Sequence, residues 1–136
     1  MSRYEPSPVE WVRNEVAHYE QHGESVDGRS VIVLETVGVK SGLIRRTPLM
    51  RVEHDGSYVA VGSMGGAPKH PSWYHNVVAN PAVRLWDGKA VHDLTARELS
   101  GDERSRWWSR ACTAFPPYAE YQSATDRVIP VLLLEP

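Results

Sequence analysis

Cysteine is almost missing from this chain of 136 residues: Cys112 is the only one. An internal disulfide and a Cys-rich metal cluster are therefore excluded, and a reducing cytoplasm is the simple expectation. Long apolar runs are missing too. The longest, Val31–Leu34 and Val131–Leu134, have strand length and fall far short of the roughly 20 residues that span a bilayer. The opening stretch Met1–Glu5 has no apolar core behind it, so neither a signal peptide nor an integral membrane segment is expected. A surplus of one charge is also lacking. Fifteen Lys and Arg stand against seventeen Asp and Glu, for a net charge of −2. A general nucleic-acid or membrane-surface binder is basic over a broad face, so neither partner is expected. Internal repeats, low-complexity tracts and linkers are absent, which makes residues 1–136 one domain. A Gly-x-Ser-x-Gly elbow is absent as well, so Ser-His-Asp hydrolysis lacks its local signature.

What is present is ordinary globular material. Hydrophobic residues at 41% exclude a disordered chain, which buries too little apolar surface to offset its entropy loss. Ser7-Pro8 followed by Val9, Val12, Val16 and Tyr19 predicts a helix over Pro8–His22, closed by Gly23. Ser30–Val37, Arg45–Glu53 and Tyr58–Gly62 read as a three-stranded meander, with Pro48 implying an edge or bulge. A short helix over Trp73–Ala79 stops at Asn80-Pro81. Val83–Trp86 and Ala90–Arg97 flank Asp87-Gly88, a strong hairpin signal. Ser100 and Glu103 match a capping box for a helix running to about Ala114. Pro116-Pro117 breaks it, Tyr118–Ala124 adds a turn or two, and Val128–Leu134 is the last strand. The sum is an α+β chain of six antiparallel strands in a closed or partly closed barrel with peripheral helices.

Three constellations stand out. The first is Gly38-Val39-Lys40-Ser41-Gly42-Leu43-Ile44-Arg45, a tight turn that exposes N–H groups beside two cations and a hydroxyl and suits a phosphate. The surrounding Lys40–Arg51 holds four basic residues (Lys40, Arg45, Arg46, Arg51) and no acid. Such a patch on a mildly acidic chain suits a small anionic ligand, although a solvated strand face explains it too. The second is Ser63–Tyr74, where Gly65 and Gly66 permit close approach of a flat ligand and Trp73 offers an apolar wall or a core anchor. The third is Phe115–Tyr121, which places Tyr118 and Tyr121 on one helical face, suited to an aromatic substrate or to docking on the barrel. His18 and His22 lack a third ligand, so no metal is expected. Cys112 reads as packing. His70 and His75 remain unoriented acid–base candidates.

Taken in order, these stretches resemble the deazaflavin-dependent nitroreductase family of actinobacteria. The resemblance runs from about Val31 to Pro136. It adds Ala79-Asn80-Pro81, Leu94–Arg97, Asp102-Glu103-Arg104 and Tyr118–Arg127 to the motifs above. The family uses coenzyme F420 and includes quinone reductases and a nitroimidazole-activating reductase. It implies the split β-barrel shared with flavin mononucleotide-binding oxidases, and hydride transfer from the reduced cofactor to a quinone or nitroaromatic acceptor. By the resemblance, Lys40, Ser41 and Arg45 hold the cofactor phosphate. Pro48 and Met50 lie along the deazaflavin. Ser63, Met64, Gly65 and Gly66 line the ring edge, Pro71, Ser72 and Trp73 close over it, and Tyr118 and Tyr121 face the substrate as catalytic residues. Val39, Met64 and Phe115 depart from relatives that carry Arg, Lys and Tyr there. A flavin-mononucleotide-dependent oxidoreductase of the same barrel, or a non-catalytic flavin or deazaflavin binder, are the alternatives. The oligomeric state, monomer or homodimer, stays open.

Overall fold

The structure is a computed structural model and describes residues 3–136. Its strands are β1 (Val31–Val37), β2 (Ile44–Met50), β3 (Glu53–His54), β4 (Ser57–Val61), β5 (Ala82–Asp87), β6 (Ala90–Glu98) and β7 (Val131–Glu135). They form one antiparallel sheet in the order β2-β1-β5-β6-β7-β4-β3. The helices are α1 (Glu10–His22), α2 (Ser72–Ala79), α3 (Gly101–Ala114) and α4 (Pro117–Ser123).

The seventh strand has a simple origin. The expected strand Arg45–Glu53 is broken at Arg51-Val52, because its two halves serve different neighbours. Met50 still pairs with Val31 of β1, whereas Glu53 pairs with Tyr58 of β4. The two ends of the sheet are thereby consecutive in the chain, and the Val59 N–H donates to the Val52 carbonyl at 3.1 Å. The sheet curls back on itself at this corner. The expected meander is accordingly incomplete: β4 pairs with β3 and β7, not with β2. Pro48 sits on the sheet-end strand β2, where a missing N–H costs no second ladder.

Alternation along β7 shows where the core lies. Leu132 and Leu134 point into the barrel with Ile32, Leu34 and Leu85. Val131 and Leu133 point outward onto Trp107 and Ala111 of α3 and Tyr118 of α4. A strand covered on both faces reads as a continuous apolar run. The final strand begins at Val131 rather than Val128, since Pro130 has no N–H to pair and its carbonyl instead accepts from Gly62 at 2.9 Å. Helix α1 docks through Tyr19, whose hydroxyl donates to the Val31 carbonyl at 3.0 Å and accepts from the Gly88 N–H at 2.6 Å. The capping box does not form. Ser100 occupies the cap position without a side-chain bond, and Glu103 instead grips Arg97 through two bonds of 2.8 and 2.7 Å. A bidentate charge-assisted pair outcompetes a single bond to an amide.

Candidate active site

Two depressions that β2 helps to line hold most of the residues singled out in the sequence. The first is a groove of about 480 Å³ between the β1–β2 turn and the start of α2. Lys40, Ser41, Arg45, Ser72 and His75 line it. The turn is closed by bonds from Gly38 N–H to the Leu43 carbonyl (2.8 Å) and from Gly42 N–H to the Gly38 carbonyl (2.9 Å). The Ser41 hydroxyl accepts from the Leu43 N–H at 3.1 Å, which leaves its own proton free to donate. A Cβ at Gly38 would stand 2.6 Å from the Ser41 Oγ, so a larger residue there would turn that hydroxyl away from its present bond. Buried Asn76 of α2 clamps the turn: its Oδ1 accepts from the Val39 N–H at 3.1 Å, and its Nδ2 donates to the Thr36 hydroxyl at 3.2 Å.

The cationic patch is smaller than its sequence suggests. Alternation along β2 sends Arg46 to the other face, where Glu20 and Glu35 hold it and Tyr4 stacks on it at 4.4 Å. Arg51 is held by Asp87 at 3.0 Å. Lys40 and Arg45 are the pair that faces the groove, and Glu5 approaches Arg45 at 3.2 Å.

The second depression is a cleft of about 520 Å³. Pro48 and Met50 of β2 meet it from the sheet, and Pro71 and Trp73 from the start of α2. Trp73 is only 6% exposed and packs in the barrel core, so it is a core anchor that also presents a surface to the cleft. Ser63, Met64 and Gly65 form one rim. Met64, Gly65 and Gly66 are consecutive left-handed residues, with φ of 46°, 64° and 82°. Left-handed backbone at a methionine is strained by about 1 kcal/mol, a cost that clusters at ligand sites. A Cβ on Gly65 would meet open space, whereas one on Gly66 would stand 2.9 Å from the Tyr121 carbonyl. Gly66 therefore lies against α4, outside the cleft lining.

Arg127 fixes this rim. Its guanidinium donates to the carbonyls of Ala67 (2.7 Å), Gly62 (3.0 Å) and Ser63 (2.7 Å), and to His70 Nδ1 (3.0 Å). An arginine only donates, so His70 Nδ1 accepts and the ring is neutral in this arrangement. Burial, then the charge of Arg127, lowers the His70 pKa.

Tyr118 and Tyr121 face the cleft beside Phe115. The rings of Phe115 and Tyr118 meet edge to face at 5.0 Å, and those of Tyr118 and Tyr121 at 6.4 Å. The Tyr118 hydroxyl has no hydrogen-bond partner among the described residues, and burial pushes its pKa well up, so it stays protonated. Helix α1 contributes Trp11 and Glu15, and the loop after it Arg29. Glu15 is buried, its carboxylate met by the Val26 N–H at 3.3 Å.

The structure thus gathers nine sequence-predicted residues in the cleft (Pro48, Met50, Ser63, Met64, Gly65, Pro71, Trp73, Tyr118, Tyr121) and four in the groove (Lys40, Ser41, Arg45, Ser72). Asn76, Arg127, Trp11, Glu15 and Arg29 were not anticipated as site residues. Donors and cations at one end and an apolar, aromatic-walled slot at the other fit a planar heterocycle with an anionic tail.

The fold defines the class of split β-barrel proteins. The barrel itself is shared with distant solved structures such as a FAD-binding protein from Mesorhizobium loti, at 16% identity over 79% of each chain with a TM-score of 0.56. Residues 10–136 match the family model described as F420H(2)-dependent quinone reductase. The chain belongs to that family: it is an F420H(2)-dependent reductase, with coenzyme F420 as its cofactor. It is 35% identical over 106 residues to the F420H(2)-dependent quinone reductase Rv1261c of Mycobacterium tuberculosis, covering 76% of this chain and 71% of that protein. A solved structure of an F420-H2 dependent reductase, FDR-A, is 57% identical, with a TM-score of 0.75 over 79% of this chain and 95% of that one. Another, described as a domain-swapped dimer, is 51% identical with a TM-score of 0.76 over 95% of this chain and all of that one. No helix among the described residues is long and apolar enough to cross a membrane.

Proposed function

We propose that this chain reduces quinones by hydride transfer from the reduced deazaflavin, with nitroaromatic compounds as a second acceptor class. The observation that carries the reading is that the same two segments border both depressions: Arg45 of β2 and Ser72 of α2 line the groove, and Pro48 and Met50 of β2 with Pro71 and Trp73 line the cleft. Strand rise of roughly 3.3 Å per residue separates Arg45 from Met50 by about 16 Å, a span suited to a cofactor with ring and phosphate at opposite ends.

Lys40 and Arg45 hold the phosphate, and the Ser41 hydroxyl donates to it. Pro48 and Met50 of β2 would hold the ring in the cleft, with the backbone of Ser63–Gly65 at its rim. When bound, the reduced cofactor supplies a hydride. The protein contributes orientation and exclusion of water. Tyr118 and Tyr121 border the space left for the acceptor. As negative charge grows on a quinone or nitro oxygen, a protonated Tyr118 hydroxyl with no internal partner is placed to stabilise it.

Fluorescence titration with the oxidised coenzyme tests the binding half. Lys40→Ala and Arg45→Ala are each expected to weaken binding about tenfold, the scale of one charge-assisted contact. Oxidation of the reduced coenzyme by menadione tests the chemical half, and by a nitroaromatic compound the second acceptor class. Binding of flavin mononucleotide in place of the deazaflavin overturns the cofactor assignment, and tight binding without turnover overturns the catalytic one.

A further inference from the structure

The anion groove contains an acid of the chain's own. Residues 3–5 run beside the first residue of β2: Ile44 N–H donates to the Arg3 carbonyl at 2.7 Å, and Glu5 N–H to the Ile44 carbonyl at 2.8 Å. These two bonds deliver the Glu5 side chain into the groove, where Oε1 lies 3.2 Å from Arg45 Nη1. The Arg45 side chain is mostly buried and that of Glu5 about half exposed, at 29% and 45%. Arg45 therefore has its anionic partner before any ligand arrives.

We propose that Glu5 is a specificity-determining residue for the anionic end of the cofactor, standing in for the phosphate on Arg45 and setting the charge the groove accepts. This rests on the assignment of the groove to that phosphate. Lys40 and Arg45 supply two positive charges and Glu5 removes one, so a bound phosphate sees a site of net +1. A phosphate that binds Arg45 competes with that carboxylate. Ligands with more negative charge lose the most, through repulsion from Glu5, and an uncharged ligand loses nothing.

The test is fluorescence titration of wild type and Glu5→Gln with two ligands: oxidised coenzyme F420, and the same deazaflavin lacking phosphate. Glutamine keeps the size of the side chain and the backbone bonds to Ile44, and a thermal melt checks folding. The expected result is coenzyme binding tighter by roughly two- to fivefold in the variant, the range of one exposed ion pair, with the phosphate-free ligand unchanged. The gain should shrink at high salt, because an exposed charge is screened. Equal gains on both ligands mean that Glu5 acts through the fold, and overturn the proposal. So does a variant that binds the coenzyme as wild type does or more weakly. A wild-type protein that takes up neither ligand overturns the cofactor assignment, and this proposal with it.

Discussion

The groove and the cleft sit side by side but are assembled in opposite ways. The groove comes from one hairpin turn, the first turns of α2 and Glu5 of the N-terminal segment, with Asn76 joining turn and helix. Its chemistry is charge, which acts over distance and tolerates exposure. The cleft draws on α1, β2, the turn after β4, the start of α2 and the Phe115–Tyr121 segment. Its chemistry is shape, which demands that distant segments be held to a fraction of an ångström. The cations that capture an anion come from one local motif, whereas the walls that seat a planar ring come from segments across the fold. Variants that separate these two requirements test the comparison.

The largest effect is expected at Arg127. Replacing it with alanine leaves the carbonyls of Gly62, Ser63 and Ala67 without their donor. Hydrogen bonds from a charged donor are worth about 1.5–3 kcal/mol each, and unsatisfied partners add to the loss. Arg127→Ala should destabilise the protein by about 3 kcal/mol in denaturant melts and raise KM for the acceptor. The Arg45→Ala variant, on the groove side, should melt near the wild-type midpoint while losing coenzyme affinity. If both variants lose stability equally, the contrast fails.

The two rim glycines give the next largest difference. Gly66→Ala combines φ of 82° with a Cβ 2.9 Å from a backbone carbonyl, which cannot move aside easily. It should cost about 2–3 kcal/mol, and Gly65→Ala, with φ of 64° and open space, about 1 kcal/mol. Thermal unfolding of the pair checks the order, and the reverse order would place the close approach at Gly65.

Legibility in the sequence follows the same division. The groove was readable because Gly38, Lys40, Ser41 and Arg45 lie within one turn. Period-2 alternation along β2 nonetheless removes Arg46 from the patch to the other face, where Glu20 and Glu35 hold it. Asn76 had a signal, a polar residue between Trp73 and Val77 on the buried face of α2. Helix limits followed punctuation at Gly23, Asn80-Pro81 and Pro116. The break at Arg51-Val52 has no such punctuation, since it arises from two neighbours competing for one run of chain. Arg127 carries no local signature either: the groups it serves lie 57 to 65 residues away. Trp11, Glu15 and Arg29 enter the cleft only because α1 packs beside β2, which periodicity within α1 does not foretell.

Tyr118 separates packing from chemistry inside the cleft. Its ring is buried against Phe115 and Trp108, but its hydroxyl has no protein partner among the described residues. Tyr118→Phe keeps the ring and removes the donor. Stability should stay within about 0.5 kcal/mol of wild type, as for a substitution that breaks no bond. Turnover with menadione should fall about tenfold, the scale of one neutral hydrogen bond and less than the roughly hundredfold lost with a dedicated oxyanion-hole donor. Coenzyme affinity should change little, because Tyr118 borders the acceptor space and the phosphate end lies in the groove. An unchanged kcat would move the stabilising donor to Tyr121 or to the backbone.

The smallest effect is a pH dependence confined to the cleft rim. His70 accepts from Arg127 only when Nδ1 is unprotonated, and burial together with the Arg127 charge lowers its folded pKa below the unfolded value of 6.5. The unfolded chain therefore takes up the proton first. The stability from this contact is complete above about pH 6.5 and is lost as pH falls through the lowered folded pKa. Denaturant midpoints measured from pH 7.5 down to 5 should decline more steeply for wild type than for His70→Gln, whose side chain does not titrate. A decline shared by His70→Gln would trace the acid sensitivity to carboxylates elsewhere and detach it from the rim.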